Sequence, residues 1–416
     1  MVKKLVALCA LLFSLAPVSA GAGVKLTTVT HWDLRTGPGA LLVKYVQEYN
    51  AAQDGVEVEV VQDPSAASPD RIAVWAAAGM LPDILPVSQV AFVDLMRAGI
   101  FAPLPGDAAE LVRETYLEAA LDMVRFEDQI WGYPSEYIPM VFTYDTVAFA
   151  HRGLPLDFPG TWPELLVAAK KLTAYSEAGA IVKAGLGWTN DQAHNAGIFL
   201  ALAWTSGRPG ASMFGDGRAS VANPAAEFSL DFLDELFNRE RVAAWGPDRT
   251  LADHAIRWTP SHHRRAIAAV PGRLEEVRSA RVPAGADGAR FAPAYGWAYT
   301  VPAAAEHPRE AHEFLKWLAA DVLPGGTTRL GNIMMELGSI PGARADLKSQ
   351  EPLSREPFYS GYYESLVNGE VRTLPTQVIN FRVLDVLNGA VTSVIAEGRS
   401  VAEALSEAEA QLRTVY

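Results

Sequence analysis

Cysteine is almost absent from this chain: Cys9 is the only one in 416 residues. It lies inside the apolar run Leu5–Leu15, which follows two lysines and precedes small residues that end at Ala20. That order is typical of a secretory signal peptide, so we expect residues 1–20 to be removed and the mature chain to lack thiols. A chain without thiols has no disulfides, no cysteine nucleophile and no thiolate metal site.

The position of Cys9 also predicts where the protein works. A lipoprotein signal needs its cysteine at the end of the apolar run, whereas Cys9 lies within it. We therefore expect export to the periplasm or the extracellular space without a lipid anchor. The apolar run is too short to span a bilayer, and the expected mature chain offers no other candidate.

Positive charge is scarce as well. The chain has 35 Lys and Arg against 48 Asp and Glu, a formal net charge of -13. Such an acidic chain repels nucleic acid and anionic membrane surfaces, so we expect neither as a partner. Half of the residues are apolar, which excludes a disordered acidic chain, and the length suits two domains better than one.

Motifs of hydrolytic enzymes are missing too. We find no nucleophile elbow and no H-E-x-x-H zinc helix. We therefore expect no enzymatic activity, no cofactor and no metal. An exported glycoside hydrolase remains the alternative, because a pair of catalytic carboxylates carries no sequence motif.

The first hundred residues after the expected signal peptide alternate between the strand and helix patterns. Val56, Val58 and Val60 alternate with glutamates, as in a half-buried strand. Strands alternating with helices predict an α/β fold with a parallel sheet, whose ligands bind beyond the carboxyl ends of the strands. The predicted strands are Leu26–Thr30, Val56–Val60 and Ile84–Leu85, and the predicted helices cover residues 41–49, 70–78 and 90–98.

Further along the chain the helix pattern dominates. Thr161 with Glu164 and Ser400 with Glu403 form capping boxes, which mark the start of two helices. Few strand patterns accompany them. We therefore expect the second lobe of the protein to be more helical than the first.

Several short segments, in order along the chain, together resemble one family. The chain is similar to the extracellular solute-binding proteins of carbohydrate ABC importers, the maltodextrin-binding kind. Each segment alone is weak, and the order and spacing over the whole mature chain make the resemblance specific. The segments are Ala78–Ile84, Ala98–Leu104, Trp131–Pro134, Phe142–Asp145, Gly153–Leu154, Thr161–Leu165, Glu310–Leu315, and Gly398 with Val401–Leu405.

The resemblance implies the type II periplasmic-binding-protein fold, two α/β lobes joined by three hinge crossings. By position, lobe 1 comprises residues 21–134 plus 298–335, and lobe 2 comprises 135–297 plus 336–416. It further implies a monomer that closes over a small carbohydrate and delivers it to the permease subunits of an ABC importer. The implied crossings lie near Tyr133–Pro139, Tyr295–Thr300 and Glu336–Ile340.

Recognition of a neutral sugar needs flat aromatic surfaces together with directed hydrogen-bonding groups. Trp32 and Asp33 follow the first predicted strand, and Ser88 with Gln89 follows the third, so both pairs belong at the ligand-binding edge. The alternatives are a core position for Trp32, a helix cap for Asp33, and a helix cap for Ser88.

Residues on the crossings border the cleft by position. Glu136 and Tyr137 lie on the first crossing, with Glu136 as the best candidate carboxylate. Tyr295, Gly296 and Trp297 lie on the second, where the resemblance implies that Gly296 permits close approach and Trp297 stacks on the ligand. The alternatives are a solvated linker acid for Glu136 and an interlobe packing role for Trp297.

Three weaker candidates complete the expected site. Trp188 and His194 flank the start of a helix where the resemblance implies a polar or aromatic contact, although a lone histidine is more often a surface residue. Arg273 occupies roughly the position of a stacking Trp in the family. An arginine there indicates an acidic or phosphorylated solute, unless it is a solvated helix-start residue. A protein of the same fold with another cargo, namely a phosphodiester, a polyamine or ferric ion, remains an alternative.

Overall fold

The computed structural model describes residues 23–415 except 67, 216, 247–253 and 350–354. The expected signal peptide lies outside the described residues. The predicted β-α-β-α-β-α order is confirmed. Strands β1 and β2 run parallel, with Val24 opposite Val56. These elements are β1 (Val24–Thr30), α1 (Gly37–Ala52), β2 (Val56–Gln62), α2 (Pro69–Ala77), β3 (Leu85–Ser88) and α3 (Gln89–Arg97).

Side-chain and glycine signals set the ends of these elements. Gly79 and Gly99 follow α2 and α3 with φ of +66° and +71°, a conformation that favours glycine and ends a helix. Asp83 accepts hydrogen bonds from the Thr27 amide (2.7 Å) and the Thr27 hydroxyl (3.0 Å), which fixes β3 beside β1. Four short elements follow: α4 (Gly106–Thr115), α5 (Glu118–Leu121), β4 (Arg125–Phe126) and β5 (Gln129–Ile130).

Strand β6 (Tyr133–Asp145) is a central strand of the protein, since all thirteen of its residues are buried. It pairs antiparallel with four strands along its length. These are β12 (His254–Pro260), β13 (Val277–Ala280), β14 (Ala292–Thr300) and β15 (Ile340–Pro341). The largest sheet therefore runs through both halves of the protein. Its order is β11 (Ala243–Trp245), β8 (Ile181–Trp188), β12, β6, β14 and β16 (Val371–Thr373).

The middle of the chain surrounds one end of β6 with helices. Thr161 and Glu164 form the predicted capping box, and Asn223 caps α9 through the amides of Ala225 and Ala226. The remaining elements are α6 (Thr146–His151), α7 (Trp162–Leu172), β7 (Ala174–Tyr175), β8 (Ile181–Trp188), α8 (Gln192–Thr205), β9 (Phe214–Gly215), β10 (Arg218–Ala219), α9 (Pro224–Asp234), a π-helical turn (Glu235–Arg239), β11 (Ala243–Trp245), a 3₁₀ turn (Ser261–His263), α10 (Arg264–Ala268) and α11 (Arg273–Glu276).

The helices of the C-terminal part form two packing groups. Helices α12 and α13 pack together, and α13 packs on α1, whereas α16 packs on α8, α9 and α17. Ser400 and Glu403 make the expected reciprocal cap at the last helix. These elements are α12 (Pro308–Ala319), α13 (Arg329–Leu337), α14 (Arg344–Ser349), α15 (Ser360–Val367), β16 (Val371–Thr373), α16 (Phe381–Ile395) and α17 (Val401–Val415).

The architecture is the mixed α/β, two-lobed fold that the sequence predicts. The second half nevertheless contains more sheet than its sequence indicates, because β8 and β12 are largely buried strands without polar–apolar alternation. None of the described helices combines the length and the apolar character needed to cross a membrane.

Candidate functional site

Three strands that the sequence places at the expected crossings lie side by side. Tyr137 of β6 pairs with Gly296 of β14 on one side and with Ile340 of β15 on the other. The pairing of β14 with β6 shifts register between Gly296 and Ala298. A Cβ on Gly296 would lie only 2.1 Å from the Glu136 carbonyl oxygen, so glycine is required for the close approach of these two strands.

A pocket of about 180 Å³, partly open to solvent, lies beside this junction. Five predicted site residues line it: Ser88, Gln89, Tyr295, Gly296 and Trp297. The other lining residues are Val90, Met140, Gln192, Ala193, Gly197, Pro293, Ala294, Leu374, Phe381 and Leu384.

Aromatic rings form a row at one side of the pocket. Trp297 is half-buried, and its ring centroid lies 5.8 Å from that of His31. The His31 ring is in turn 5.6 Å from the ring of Trp32. Trp32 therefore stands near the pocket without lining it, and Trp297 presents the aromatic surface that a sugar face could cover.

Gln89 is held in one orientation by its amide nitrogen. Its side chain is buried, and Nε2 donates to the Leu374 carbonyl oxygen (2.5 Å) and to Thr376 Oγ1 (2.9 Å). The carbonyl oxygen Oε1 consequently points away from these partners. It has no hydrogen-bond partner among the described residues, although it is buried.

Ser88 is not the helix cap that the sequence allowed. It occupies the N-cap position of α3 but makes no capping hydrogen bond through its side chain. Its Oγ is buried and has no partner among the residues that the structure describes. Because a buried polar atom without a partner is costly, such an atom in a pocket wall indicates a ligand contact.

Glu136 lies at the strand junction, behind the pocket. Its carboxylate accepts a hydrogen bond from Ser339 Oγ (2.5 Å) and lies 4.0 Å from His262 Nδ1. Burial raises the pKa of the Glu136 carboxyl to about 7, against the lowering effect of the Ser339 hydrogen bond. It is therefore a buried acid that ties β6 to the segment before β15, and the solvated-linker alternative is wrong.

We expect Glu136→Gln to change how stability depends on pH. Above pH 4.5 the unfolded carboxyl ionises while the folded one stays protonated, so wild-type stability falls until the pH passes about 7. Glu136→Gln has no carboxyl at this position and therefore lacks this loss of stability. Urea unfolding should show its stability relative to wild type rising between pH 4.5 and 7.5, by at most about 3 kcal/mol. A difference that stays constant with pH would contradict the assignment.

Tyr137, the other residue predicted on the first crossing, is fully buried and does not line the pocket. Its hydroxyl lies 3.4 Å from Thr373 Oγ1, which joins β6 to β16. Asp33 is also outside the pocket lining. Its carboxylate accepts a hydrogen bond from Arg35 (2.9 Å), two positions along the chain. Thr36 occupies the N-cap of α1, so Asp33 is not the expected cap.

Trp188 and Arg273 are not brought into the pocket. Trp188 is the last residue of β8 and faces the core, where Nε1 donates to Asn195 Oδ1 (2.7 Å). The Arg273 guanidinium donates to Asp145 (2.8 Å) and Glu276 (2.6 Å). Its side chain therefore holds two carboxylates of lobe 2, and it is not a solvated helix-start residue.

His194 lies closer to the junction and is buried, so it is not a surface histidine. Its Nδ1 is hydrogen-bonded to Asp191, the N-cap residue of α8, and its ring centroid is 5.4 Å from that of His263. Although the histidines cluster, no group of three or more metal-ligating residues within the described part of the chain is placed to hold a metal ion.

Several pocket residues are not among the site residues that the sequence predicted. Gln192 and Phe381 are the first residues of α8 and α16, and the Gln192 amide donates to Asp385 across these two helices. Their caps, Asp191 and Asn380, mark both helix starts. These two caps could have predicted where α8 and α16 begin. Gln192 and Phe381 lie beside Gln89 because α3, α8 and α16 begin at the same pocket.

Comparison with known proteins identifies the family of the chain. Residues 32–322 match the profile of the bacterial extracellular solute-binding proteins. A "Probable ABC transporter-binding protein" of Deinococcus radiodurans is 24% identical over 269 residues. That alignment spans 62% of each protein, so the chain covers less than two thirds of this relative.

Two solved structures share the fold over nearly their whole length. The cyclic alpha-maltosyl-1,6-maltose binding protein from Arthrobacter globiformis has a TM-score of 0.76 at 20% identity, with 94% of this chain and 99% of that chain covered. UgpB from Mycobacterium tuberculosis, in complex with glycerophosphocholine, has a TM-score of 0.76 at 17% identity, with 95% and 98% covered. The two neighbours therefore share a fold and differ in ligand.

Proposed function

Because the chain belongs to the family of bacterial extracellular solute-binding proteins, we propose that it captures a small carbohydrate between its lobes and delivers it to an ABC importer. The observation that carries the proposal is the pocket at the strand junction. Trp297 offers a stacking surface there, and two buried polar atoms, Ser88 Oγ and Gln89 Oε1, lack partners among the described residues. An aromatic face beside directed polar groups is what a sugar ring requires.

The proposed mechanism is hinge closure. Residues 21–134 with 298–335 form lobe 1, residues 135–297 with 336–416 form lobe 2, and the three adjacent strands at Tyr137 connect them. The lobes are close elsewhere as well, since a Cβ added to Gly37 of lobe 1 would lie 2.4 Å from a guanidinium nitrogen of Arg265 in lobe 2. Closure of the lobes encloses the sugar and creates the surface that the permease subunits bind.

The remaining parts of the proposal follow from this role. The protein works in the periplasm or at the cell exterior, acts as a monomer and uses no cofactor. It binds its ligand without chemical change. Incubation of the purified protein with α- and β-linked disaccharides should therefore release no reducing sugar, and release from any of them would favour the hydrolase alternative.

A thermal-unfolding panel tests capture itself. A ligand that binds only the folded state stabilises it, by about 2.7 kcal/mol when its concentration is 100 times Kd. We expect one class of mono- or disaccharides to raise the Tm of the purified protein, and ferric citrate, spermidine and glycerophosphocholine to leave it unchanged. A Tm rise with one of these three solutes and with no sugar would contradict a carbohydrate cargo.

A further inference from the structure

The pocket wall contains amide, hydroxyl, aromatic and aliphatic groups, and no side chain with a formal charge lines it among the described residues. The arginine that suggested an acidic solute, Arg273, lies elsewhere and binds Asp145 and Glu276. A charged ligand in this pocket would therefore lose its hydration without gaining an opposite charge, which is strongly unfavourable.

The Gln89 side chain defines which hydrogen-bonding group the ligand must supply. Nε2 donates to Leu374 and Thr376, which fixes the orientation of the amide. Oε1 of this pocket-lining residue is left without a partner among the described residues. A carbonyl oxygen accepts hydrogen bonds and cannot donate them. Its natural partner is an O–H or N–H group, whereas an ionised carboxylate or phosphate has no proton to give and is repelled.

Ser88 lies next to this acceptor and opposite the tryptophan. In the antiparallel pair of β3 and β14, Ser88 is directly opposite Trp297. Directly opposed residues project on the same side of a sheet, with their Cβ atoms about 5 Å apart. The Ser88 hydroxyl, which both donates and accepts, thus stands beside the indole.

On the basis of the proposed function, we infer that the site binds a neutral polyol. One hydroxyl of this ligand is bound at Ser88 and Gln89, and the adjoining C–H face lies on Trp297. That hydroxyl donates to Gln89 Oε1 and accepts from Ser88 Oγ, so both buried atoms gain partners. The N-terminus of α3, which begins at Gln89, adds partial positive charge near the hydroxyl oxygen. Because a helix N-terminus also attracts anions, an anionic sugar is the competitor against which the inference must be tested.

Matched neutral and anionic solutes distinguish these ligands by isothermal titration calorimetry. The pairs are glucose with glucuronate and glucose 6-phosphate, galactose with galacturonate, and glycerol with glycerol 3-phosphate, together with maltose and trehalose. We expect a neutral member to bind and its anionic counterpart to bind at least tenfold more weakly. Tighter binding of an anionic member would overturn this inference and leave capture in the pocket standing, whereas no binding by any solute would overturn both.

A second experiment tests the hydroxyl contact with the neutral sugar that binds best. Ser88→Ala should weaken binding about tenfold with no fall in Tm, because Ser88 Oγ has no partner in the described structure. O-methylation of the bound hydroxyl keeps its oxygen but removes the proton that Gln89 accepts, so one monomethyl derivative should bind at least 30-fold more weakly.

Thr28→Val is the matched control for Ser88→Ala. Thr28 is buried, and its Oγ1 likewise has no partner in the described structure, but it does not line the pocket. This variant should keep the wild-type Kd. Equal affinities of wild type and Ser88→Ala, or equal loss in Ser88→Ala and Thr28→Val, would overturn the inference.

Discussion

Replacement of Trp297 by alanine should weaken sugar binding at least 30-fold, about 2 kcal/mol, while the protein remains folded. The ring is half-buried in the pocket wall and is the aromatic surface on which we place the ligand. Alanine removes that surface and leaves the hydrogen-bonding groups of Ser88 and Gln89 in place. Calorimetric titration gives the affinity, and circular dichroism with thermal unfolding confirms the fold.

Trp75→Ala is the matched control. Trp75 is also half-buried, but it lies on α2 under the guanidinium of Arg71 (4.8 Å) and does not line the pocket. Its removal should leave sugar affinity within about twofold of wild type. Wild-type affinity of Trp297→Ala would show that Trp297 packs between the lobes and does not contact the ligand.

The second large effect concerns the backbone at the strand junction. Gly296→Ala should destabilise the protein by about 3 kcal/mol, because the new methyl group would lie 2.1 Å from the Glu136 carbonyl oxygen and 2.4 Å from Met123 Sδ. Met123 can move aside, but the backbone of Glu136 moves only if β6 and β14 separate. Urea unfolding measures the loss of stability directly.

Gly389→Ala is the control for Gly296→Ala, and we expect it to have the opposite effect on stability. Gly389 lies in α16, where a Cβ would meet nothing within 4 Å. Alanine has the higher helix propensity, so this variant should be more stable than wild type by up to about 1 kcal/mol. Equal stability of Gly296→Ala and wild type would contradict the close packing of the crossing strands.

The parts of the fold that the sequence predicted are those with local signals. The alternation of Val56, Val58 and Val60 gave β2, and the Thr161 capping box gave the start of α7, because a half-buried strand and a capped helix reveal themselves within a few residues. The buried strands β8 and β12 gave no such signal. Strands covered on both faces do not alternate, so their pattern does not distinguish them from buried helix.

The candidate site was predictable where position in the chain determines position in the fold. Ser88 and Gln89 end a strand and start a helix, and the structure places both in the pocket wall, as it does Trp297. The direction of a side chain is a different matter. Trp188 also ends a strand, yet it points into the core, because successive residues of a strand face opposite sides and only tertiary packing decides which side is inside.

Partners distant in sequence explain the other differences. Arg273 resembles a ligand-binding residue in sequence, but Asp145, 128 positions away, accepts its hydrogen bond. Similarly, Gln89 acquires its fixed orientation from Leu374 and Thr376, more than 280 positions along the chain. Such contacts depend on how β14, β16 and α3 meet, and no local pattern encodes them.

Small-angle X-ray scattering during a sugar titration tests the central claim, capture of a carbohydrate by closure of two lobes. We expect the neutral sugar that gives the largest Tm rise to decrease the radius of gyration. This decrease should saturate at one sugar per chain. Trp297→Ala at the same sugar concentration should keep the ligand-free scattering curve. A radius of gyration that no sugar changes, or that decreases only with an iron chelate or a phosphodiester, would contradict the claim.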